Sequence, residues 1–181
     1  MRCCIAALFM VLCLPVQSGE SASWSGIDVS SRSTRCDSRT VAATQSPDRL
    51  QLSLIFPKEL ARRDGTSSGK DAGRCTIDLV FERPLATRTV VRLDMRAAFA
   101  KSRNAYANLQ VGLPGGVHRY ELKPQQVCEG DTASPLLFRY IVVAPRGAKS
   151  VRMNLDAMVK APSGESVLVS IDSLDAIITD E

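Results

Sequence analysis

The amino-acid sequence predicts an all-β protein, an antiparallel β-sandwich of about eight or nine strands. Apolar side chains recur at every second position in separate short segments, which places them on one face of a strand. Turn-forming clusters such as 114–116 and 162–164 separate these segments, and none shows the period of an amphipathic helix. Parallel strands need crossovers of a dozen or more residues, so the short connections favour antiparallel pairing.

The segments with this alternation occur from residue 50 to residue 171. In order they are 50–56, 77–81, 91–95, 107–113, 118–122, 151–159 and 167–171. The run 136–143 is apolar except for Arg139, which predicts a strand covered on both faces. Most strands show one apolar face, so two sheets packed face to face bury these faces. A jelly-roll order of strands is one form of this fold, and a closed β-barrel is the alternative.

The N-terminal residues 1–18 have the layout of a secretory signal peptide. Arg2 supplies a positive charge, residues 5–14 are almost continuously apolar, and Val16 and Ser18 occupy positions −3 and −1 before a predicted cleavage after Ser18. A second candidate site follows Ser23. The apolar run is shorter than the roughly 20 residues of a membrane helix. We therefore expect a secreted or periplasmic protein with no transmembrane segment after cleavage.

The remainder of the chain has the length of one domain. Residues 19–35 are rich in Ser and Gly and are predicted to be a flexible lead-in, with Trp24 and Ile27 as its candidate anchors. Residues 36–181 are predicted to form a single β-sandwich domain. The connection 57–74 is long and polar, and residues 57–63 offer one or two helical turns. A mobile surface loop is the favoured interpretation of this connection, and a binding loop is the alternative.

Composition excludes several classes of function. The formal net charge of +4 is mild and the basic residues are scattered, so no nucleic-acid partner is expected. The sequence holds a single histidine, His118, which we interpret as a structural or surface residue. Because the sequence shows no cluster of histidine and cysteine ligands, neither a metal site nor a cofactor is predicted, and no catalytic residue is assigned.

Three cysteines follow the predicted leader, namely Cys36, Cys75 and Cys128. Thiols tend to pair in an oxidising compartment, and three pairings are open to an odd set of this size. The preferred pair is Cys75 with Cys128, which leaves Cys36 over. That pair would close a long loop and contribute about 4 kcal/mol in the chain-entropy account of disulfide stabilisation.

The candidate binding residues are arginines at outward positions of different strands: Arg92, Arg96, Arg139 and Arg152. Where such strands adjoin, guanidinium groups form a cationic face suited to carboxylated or phosphorylated surfaces. The favoured alternative is a solvated sheet face whose arginines pair with cross-strand carboxylates such as Asp94, Asp156 and Glu121.

Two functions from different classes are compatible with these observations. The leading hypothesis is an exported, non-enzymatic protein that binds an extracellular or envelope surface, such as an anionic glycan, because β-sandwiches are common recognition scaffolds. The alternative is a secreted carbohydrate-active hydrolase that uses paired carboxylates. Purified protein that binds polysaccharide without hydrolysing it would favour the first hypothesis. The oligomeric state does not follow from the sequence.

An early Cys36, the strand-opening segment 73–79 around Cys75, and Cys128-Glu129-Gly130 before the final strands form a pattern. This pattern resembles a family of secreted proteins that carries a domain-of-unknown-function label. The resemblance covers residues 36–175. It implies a secreted β domain, and it implies no established activity, cofactor or catalytic residue.

Overall fold

The structure is a computed structural model, and it describes residues 22–30, 36–37, 39–57, 59–122 and 134–179. The predicted leader 1–18 and Cys128 lie outside these residues. The strands are β1 (Trp24–Ser30), β2 (Ala42–Gln45), β3 (Gln51–Ile55), β4 (Ala61–Arg63), β5 (Gly69–Phe81), β6 (Thr89–Lys101), β7 (Tyr106–Leu113), β8 (Gly116–Leu122), β9 (Ser134–Ala144), β10 (Ser150–Ala161) and β11 (Val167–Thr179). No helix long and apolar enough to span a membrane occurs in the part of the chain that the structure describes.

The strands form two antiparallel sheets that pack face to face, which confirms the predicted β-sandwich. Sheet A has the strand order β1-β5-β10-β7-β8, and sheet B has the order β2-β3-β11-β6-β9, with β4 paired to β11. The seven strands predicted from alternation and the one predicted from the apolar run 136–143 correspond to β3 and β5–β11, and their connections pass mostly from one sheet to the other. That order of strands is the jelly-roll arrangement of two Greek keys.

The core lies between the sheets and is built from the alternating positions. On β6 of sheet B, Val91, Leu93 and Met95 are fully buried, and on β10 of sheet A the same is true of Met153 and Leu155. Full burial of a side chain of this size stabilises the fold by about 1.5–3 kcal/mol. The intervening side chains point to the outer face of each sheet, where any binding surface on a sheet must lie.

The predicted flexible lead-in 19–35 contains a strand of sheet A. Trp24, Ile27 and Val29 are the inward positions of β1, and they lie opposite Phe81, Leu79 and Ile77 of β5. The register shifts between Trp24 and Gly26, whose φ is +146°. This bulge interrupts the period-two pattern, which is why the segment does not show as a strand in the sequence.

Half of the connection 57–74 is strand, so its prediction as a loop with one or two helical turns is wrong. Residues 61–63 form β4, which pairs with β11, and β5 already begins at Gly69. Ala61 is fully buried and Leu60 is 4% exposed, because this segment crosses the end of the sandwich. Three residues are too few for an alternation to be recognised. Together with β1 and β2, β4 raises the number of described strands to eleven.

Gly73 allows this crossing segment to approach β5 closely. A Cβ atom at Gly73 would lie 1.8 Å from the carbonyl oxygen of Leu60, whose amide is fixed by a 2.9 Å hydrogen bond to Val169 O. We expect Gly73→Ala to lower the free energy of unfolding by about 1–3 kcal/mol in urea denaturation, because backbone has to move. Gly116→Ala is the matched control, since nothing lies within 4 Å of its added Cβ. Equal stability of the two variants would contradict this account.

The sequence predicts that strand β9 is covered on both faces, and this prediction is wrong, because β9 is the terminal strand of sheet B. Its inward residues Tyr140 and Val142 are buried, at 6% and 2% exposure. The outward Leu137 and Ile141 are 62% and 61% exposed. A run of apolar residues does not distinguish a covered strand from an edge strand whose outer face is also apolar.

The disulfide joins Cys36 to Cys75, so the preferred pairing of Cys75 with Cys128 is wrong and Cys36 is not left over. Ser30 at the end of β1 lies opposite Thr76 of β5, and the chain reaches Cys36 six residues later. The Cα atoms of the two cysteines are 5.6 Å apart, and both side chains are buried. Pairing of β1 with β5 therefore decides the partner of Cys75, whereas loop length does not.

Candidate binding face

The outer face of sheet A carries a depression of about 440 Å3. This volume lies within the range of small-molecule sites, about 300–1,000 Å3. Three strands line it with the residues Ala72, Gly73, Arg74, Asn108, Gln110, Asp156, Ala157 and Met158. We call it the sheet A depression. It sits on regular paired strands, so the groups around it are held by the sheet rather than by loops.

Asn108 forms the most buried polar part of the sheet A depression. It is 4% exposed, and among the described residues only Thr89 is another buried polar side chain. Its neighbours Ala107 and Leu109 on β7 point into the core, so Asn108 points outward. Across the sheet it lies opposite Met158 of β10 and Glu121 of β8. A side-chain amide offers two donors and one acceptor, and this one is held in the wall of a concave surface.

A polar row crosses sheet A beside Asn108. In register it contains Arg74 of β5, Asp156 of β10, Gln110 of β7 and Arg119 of β8. Arg74 Nε donates a hydrogen bond to Asp156 Oδ1, which raises the pKa of the guanidinium. Gln110 Oε1, in the amide orientation that its surroundings require, accepts from Arg119 Nη2 at 2.9 Å and Nε at 3.1 Å. These cross-strand pairs orient the row before any ligand arrives.

The four arginines predicted as a binding face lie on different sheets. Arg92 and Arg96 on β6 and Arg139 on β9 point outward from sheet B. Arg152 on β10 points outward from sheet A. The structure therefore does not bring all four together, because consecutive strands alternate between the sheets. Binding through any of these arginines stays a prediction.

Two of these arginines form cross-strand ion pairs with carboxylates. Arg139 Nε and Nη2 donate to Asp94 at 2.7 Å and 3.3 Å, and Arg152 Nε and Nη2 donate to Asp78 at 2.9 Å and 2.8 Å. The hydrogen bond from Arg139 lowers the pKa of the Asp94 carboxyl, and both arginine pKa values are raised by their partners. Arg92 Nε lies 3.3 Å from Asp94 as well. Asp94 lies on the same strand as Arg92, so the solvated face with cross-strand partners describes Arg139 and Arg152.

The carboxylates do not form a catalytic pair in the sheet A depression. Asp156 is the one carboxylate among its described lining residues. Asp78 and Asp94 are held by arginines, and Glu82 accepts from Arg49 Nη1 at 2.7 Å. No group of three or more histidine, cysteine or acidic side chains that could hold a metal ion occurs among the described residues.

His118 lies at the open edge between the two sheets. Its ring is 4.9 Å from that of Tyr140, and both line a second depression of about 340 Å3 together with Arg139. Tyr140 Oη donates to Tyr120 Oη at 3.1 Å, and burial raises the Tyr140 pKa. Arg139 in this depression is already engaged by Asp94. The edge is thus occupied by an aromatic cluster that joins β8 to β9.

Sequence reasoning missed the residues of the sheet A depression. Asn108 and Gln110 are visible in the sequence only as the polar half of an alternating strand. Two amides at successive outward positions of one strand are the signal that was available, since a solvated face is more commonly charged. Their meeting with Asp156 and Arg74 depends on strand order, which alternation does not contain.

A jelly-roll β-sandwich with a polar depression on one sheet is the class that the fold and the site define. No family model matches the chain, and no curated protein matches it. Solved structures with similar folds include TmCBM61 in complex with β-1,4-galactotriose, at 12% identity and a TM-score of 0.33, covering 87% of this chain and 91% of that chain.

Two further likenesses involve segments of larger proteins. The mosquito-larvicidal Cry4Aa toxin from Bacillus thuringiensis is 14% identical with a TM-score of 0.31, over 78% of this chain and 21% of that chain. Dimeric latent PorU from Porphyromonas gingivalis is 11% identical with a TM-score of 0.33, over 91% of this chain and 14% of that chain. Scores of this size do not indicate what the chain binds.

Proposed function

We propose that this protein is an exported, non-enzymatic glycan-binding β-sandwich that holds its ligand in the sheet A depression. The observation that carries the proposal is the concave polar surface around the 4% exposed Asn108. Sugar hydroxyls donate and accept hydrogen bonds at once, and side-chain amides match them in both directions. Asn108 and Gln110 supply two amides on one strand, with Asp156 opposite Gln110 and Arg74 opposite Asp156.

The apolar part of the surface suits the C–H faces of sugar rings. Met158 is 41% exposed beside Asn108, and Tyr106 lies on the same face of β7 two residues before Asn108. The C–H faces of sugar rings pack on such side chains while their hydroxyls reach the polar row. A shallow surface on paired strands accommodates a chain of sugars better than a closed pocket does.

Binding without turnover is part of the proposal. Glycoside hydrolysis ordinarily uses two carboxyl groups about 5–10 Å apart on either side of the bond. Among the described residues the sheet A depression offers only Asp156, which is paired with Arg74. The hydrolase remains the alternative function, and it predicts release of reducing ends from a polysaccharide.

Export is the second part of the proposal. It rests on the signal-peptide layout of residues 1–18 and is supported by the Cys36–Cys75 disulfide, since disulfides persist in oxidising compartments. The anionic glycan expected from the sequence is one ligand of this class. The four arginines do not provide a common surface for it.

The double variant Asn108→Ala, Gln110→Ala is expected to weaken retention on a bound polysaccharide about tenfold or more. Each lost hydrogen bond contributes about 0.5–1.5 kcal/mol net. Affinity gel electrophoresis against a panel of soluble neutral and acidic polysaccharides measures this change. Gln51→Ala is the matched control, because Gln51 is an exposed amide on the outer face of sheet B.

Three outcomes of this assay are informative. Retention by the wild type and by Gln51→Ala, with loss in the double variant, supports the proposal. Retention that is unchanged in the double variant, or no retention by the wild type on any polymer, contradicts it. Release of reducing ends by the wild type would establish the hydrolase instead.

A further inference from the structure

Two lysines face each other directly at one end of the outer face of sheet A. Lys70 of β5 is opposite Lys160 of β10, and Lys160 is opposite Tyr106 of β7. Both lysines are exposed. No ion pair joins either ammonium group to a carboxylate of the described residues. We call Lys70, Lys160 and Tyr106 the lysine row.

The lysine row differs from the other charged positions of the same two strands. Where β5 and β10 carry charge elsewhere on this face, opposite charges meet, as in Arg74 with Asp156 and Asp78 with Arg152. Like charges directly opposite on neighbouring strands destabilise a sheet. Because no carboxylate of the described residues forms an ion pair with either lysine, the lysine row carries a positive potential, and an anionic group placed over it would relieve the repulsion.

The lysine row is continuous with the sheet A depression. Met158 lies two residues before Lys160 on β10, and Asn108 lies two residues after Tyr106 on β7. The lysine row is therefore about 7 Å along the strands from the row of Met158 and Asn108. Tyr106 lies opposite Lys160 in this row and two residues before Asn108 on β7, so the same strand carries both features. A ligand in the depression that extends along the strands therefore reaches the lysines.

We propose that the ligand of the sheet A depression is an acidic polysaccharide, whose carboxylate or sulfate group lies over Lys70 and Lys160. This inference rests on the proposed function and adds the substrate class to it. The sugar rings occupy the depression, and the acid group of the next sugar accepts hydrogen bonds from both ammonium groups. Charge-assisted hydrogen bonds of this kind are about twice as strong as neutral ones.

The test compares polygalacturonate with the same polymer after its carboxyl groups have been reduced, and with a sulfated dextran alongside plain dextran. At about 20 mM salt we expect the wild type to bind the acidic member of at least one pair about tenfold more tightly. The preference should fall as salt rises, because screening is strong beyond about 10 Å at 0.1 M. The two pairs separate carboxylate from sulfate recognition.

The variant Lys70→Gln, Lys160→Gln is expected to bring the ratio of the two affinities close to one. The matched control is Arg146→Gln, Lys149→Gln, which removes two exposed positive charges from the turn before β10. The control should keep the tenfold ratio if the lysine row acts locally rather than through net charge. Far-ultraviolet circular dichroism confirms that both variants keep the wild-type fold.

Failure of this inference and of the proposed function give different results. A wild-type ratio near one in both pairs, or a ratio that survives in Lys70→Gln, Lys160→Gln, overturns the acidic-glycan inference while glycan binding stands. An equal fall in the control variant overturns the local role of the lysine row. Binding of no polymer at all overturns both.

Discussion

Replacing Trp24 with alanine is expected to lower the free energy of unfolding by about 3–5 kcal/mol, the range for a buried tryptophan. Trp24 is fully buried and stacks on Phe81 with ring centroids 4.7 Å apart. Its Nε1 also donates to Leu50 O at 3.1 Å, which ties β1 of sheet A to the start of β3 in sheet B. Truncation thus removes packing and a link between the sheets, and chemical denaturation measures the loss.

Trp24→Phe is the control for this variant. A phenylalanine keeps an aromatic ring against Phe81 and loses the hydrogen bond to Leu50 O together with part of the ring volume, so we expect a smaller loss, of about 1–2 kcal/mol. Val117→Ala, at a side chain that is 68% exposed, should change stability by less than about 0.5 kcal/mol. If Trp24→Ala is as stable as Val117→Ala, the segment before Cys36 is not part of the folded core.

Removing the disulfide is expected to destabilise the protein by about 4 kcal/mol. Cys36 and Cys75 are 39 residues apart, and the chain-entropy account gives this value for a loop of that length. The double variant Cys36→Ala, Cys75→Ala should therefore unfold at much lower urea concentration than the wild type. Reducing the wild type under native conditions should produce a similar decrease, since both treatments open the same loop.

Cys128→Ala is the matched control for the disulfide. This variant should keep the Cys36–Cys75 crosslink, which non-reducing peptide mapping detects. Its free energy of unfolding should not show the loss expected when the disulfide is removed. A crosslinked peptide that contains Cys128 in the wild type would contradict the pairing. Stability of the double variant within about 1 kcal/mol of the wild type would contradict the stabilising role.

The sheet A depression and the lysine row owe their properties to the same two strands. β10 is paired with β5 over its full length, from Ser150 opposite Val80 to Ala161 opposite Gly69. This long ladder fixes which charged residues face each other. Opposite charges meet elsewhere along it, whereas two lysines, Lys70 and Lys160, meet at one end. Exchanging Lys160 for an acidic residue would turn the lysine row into an ordinary cross-strand pair.

Most strands were predictable because their inward positions keep a single phase. Leu52 and Leu54 of β3 or Val151 to Val159 of β10 alternate without interruption, and burial follows the alternation. β11 shows where this fails, since its register shifts between Ile171 and Ser173. The inward set then continues at Leu174 and Ala176, so the sequence indicates only the first half of the strand.

The candidate site was predictable only in part. The sequence places Arg152, Asn108 and Gln110 outward on their strands, and the structure agrees. It does not say that Arg152 shares a sheet with these amides while Arg92, Arg96 and Arg139 belong to the other sheet. The assignment of each strand to a sheet depends on long-range pairing of segments far apart in the chain.

The sequence by itself determined that the chain forms strands with one apolar face, and hence two antiparallel sheets packed on a common core. Side-chain alternation is a local property of successive residues, so it is visible in the sequence without knowledge of the strand pairing. The tertiary structure alone decided the order of the strands, the partner of Cys75, and the meeting of Asn108 with Asp156 and of Lys70 with Lys160. These depend on which backbones share hydrogen bonds, and that is settled by packing over the whole core rather than by any one segment.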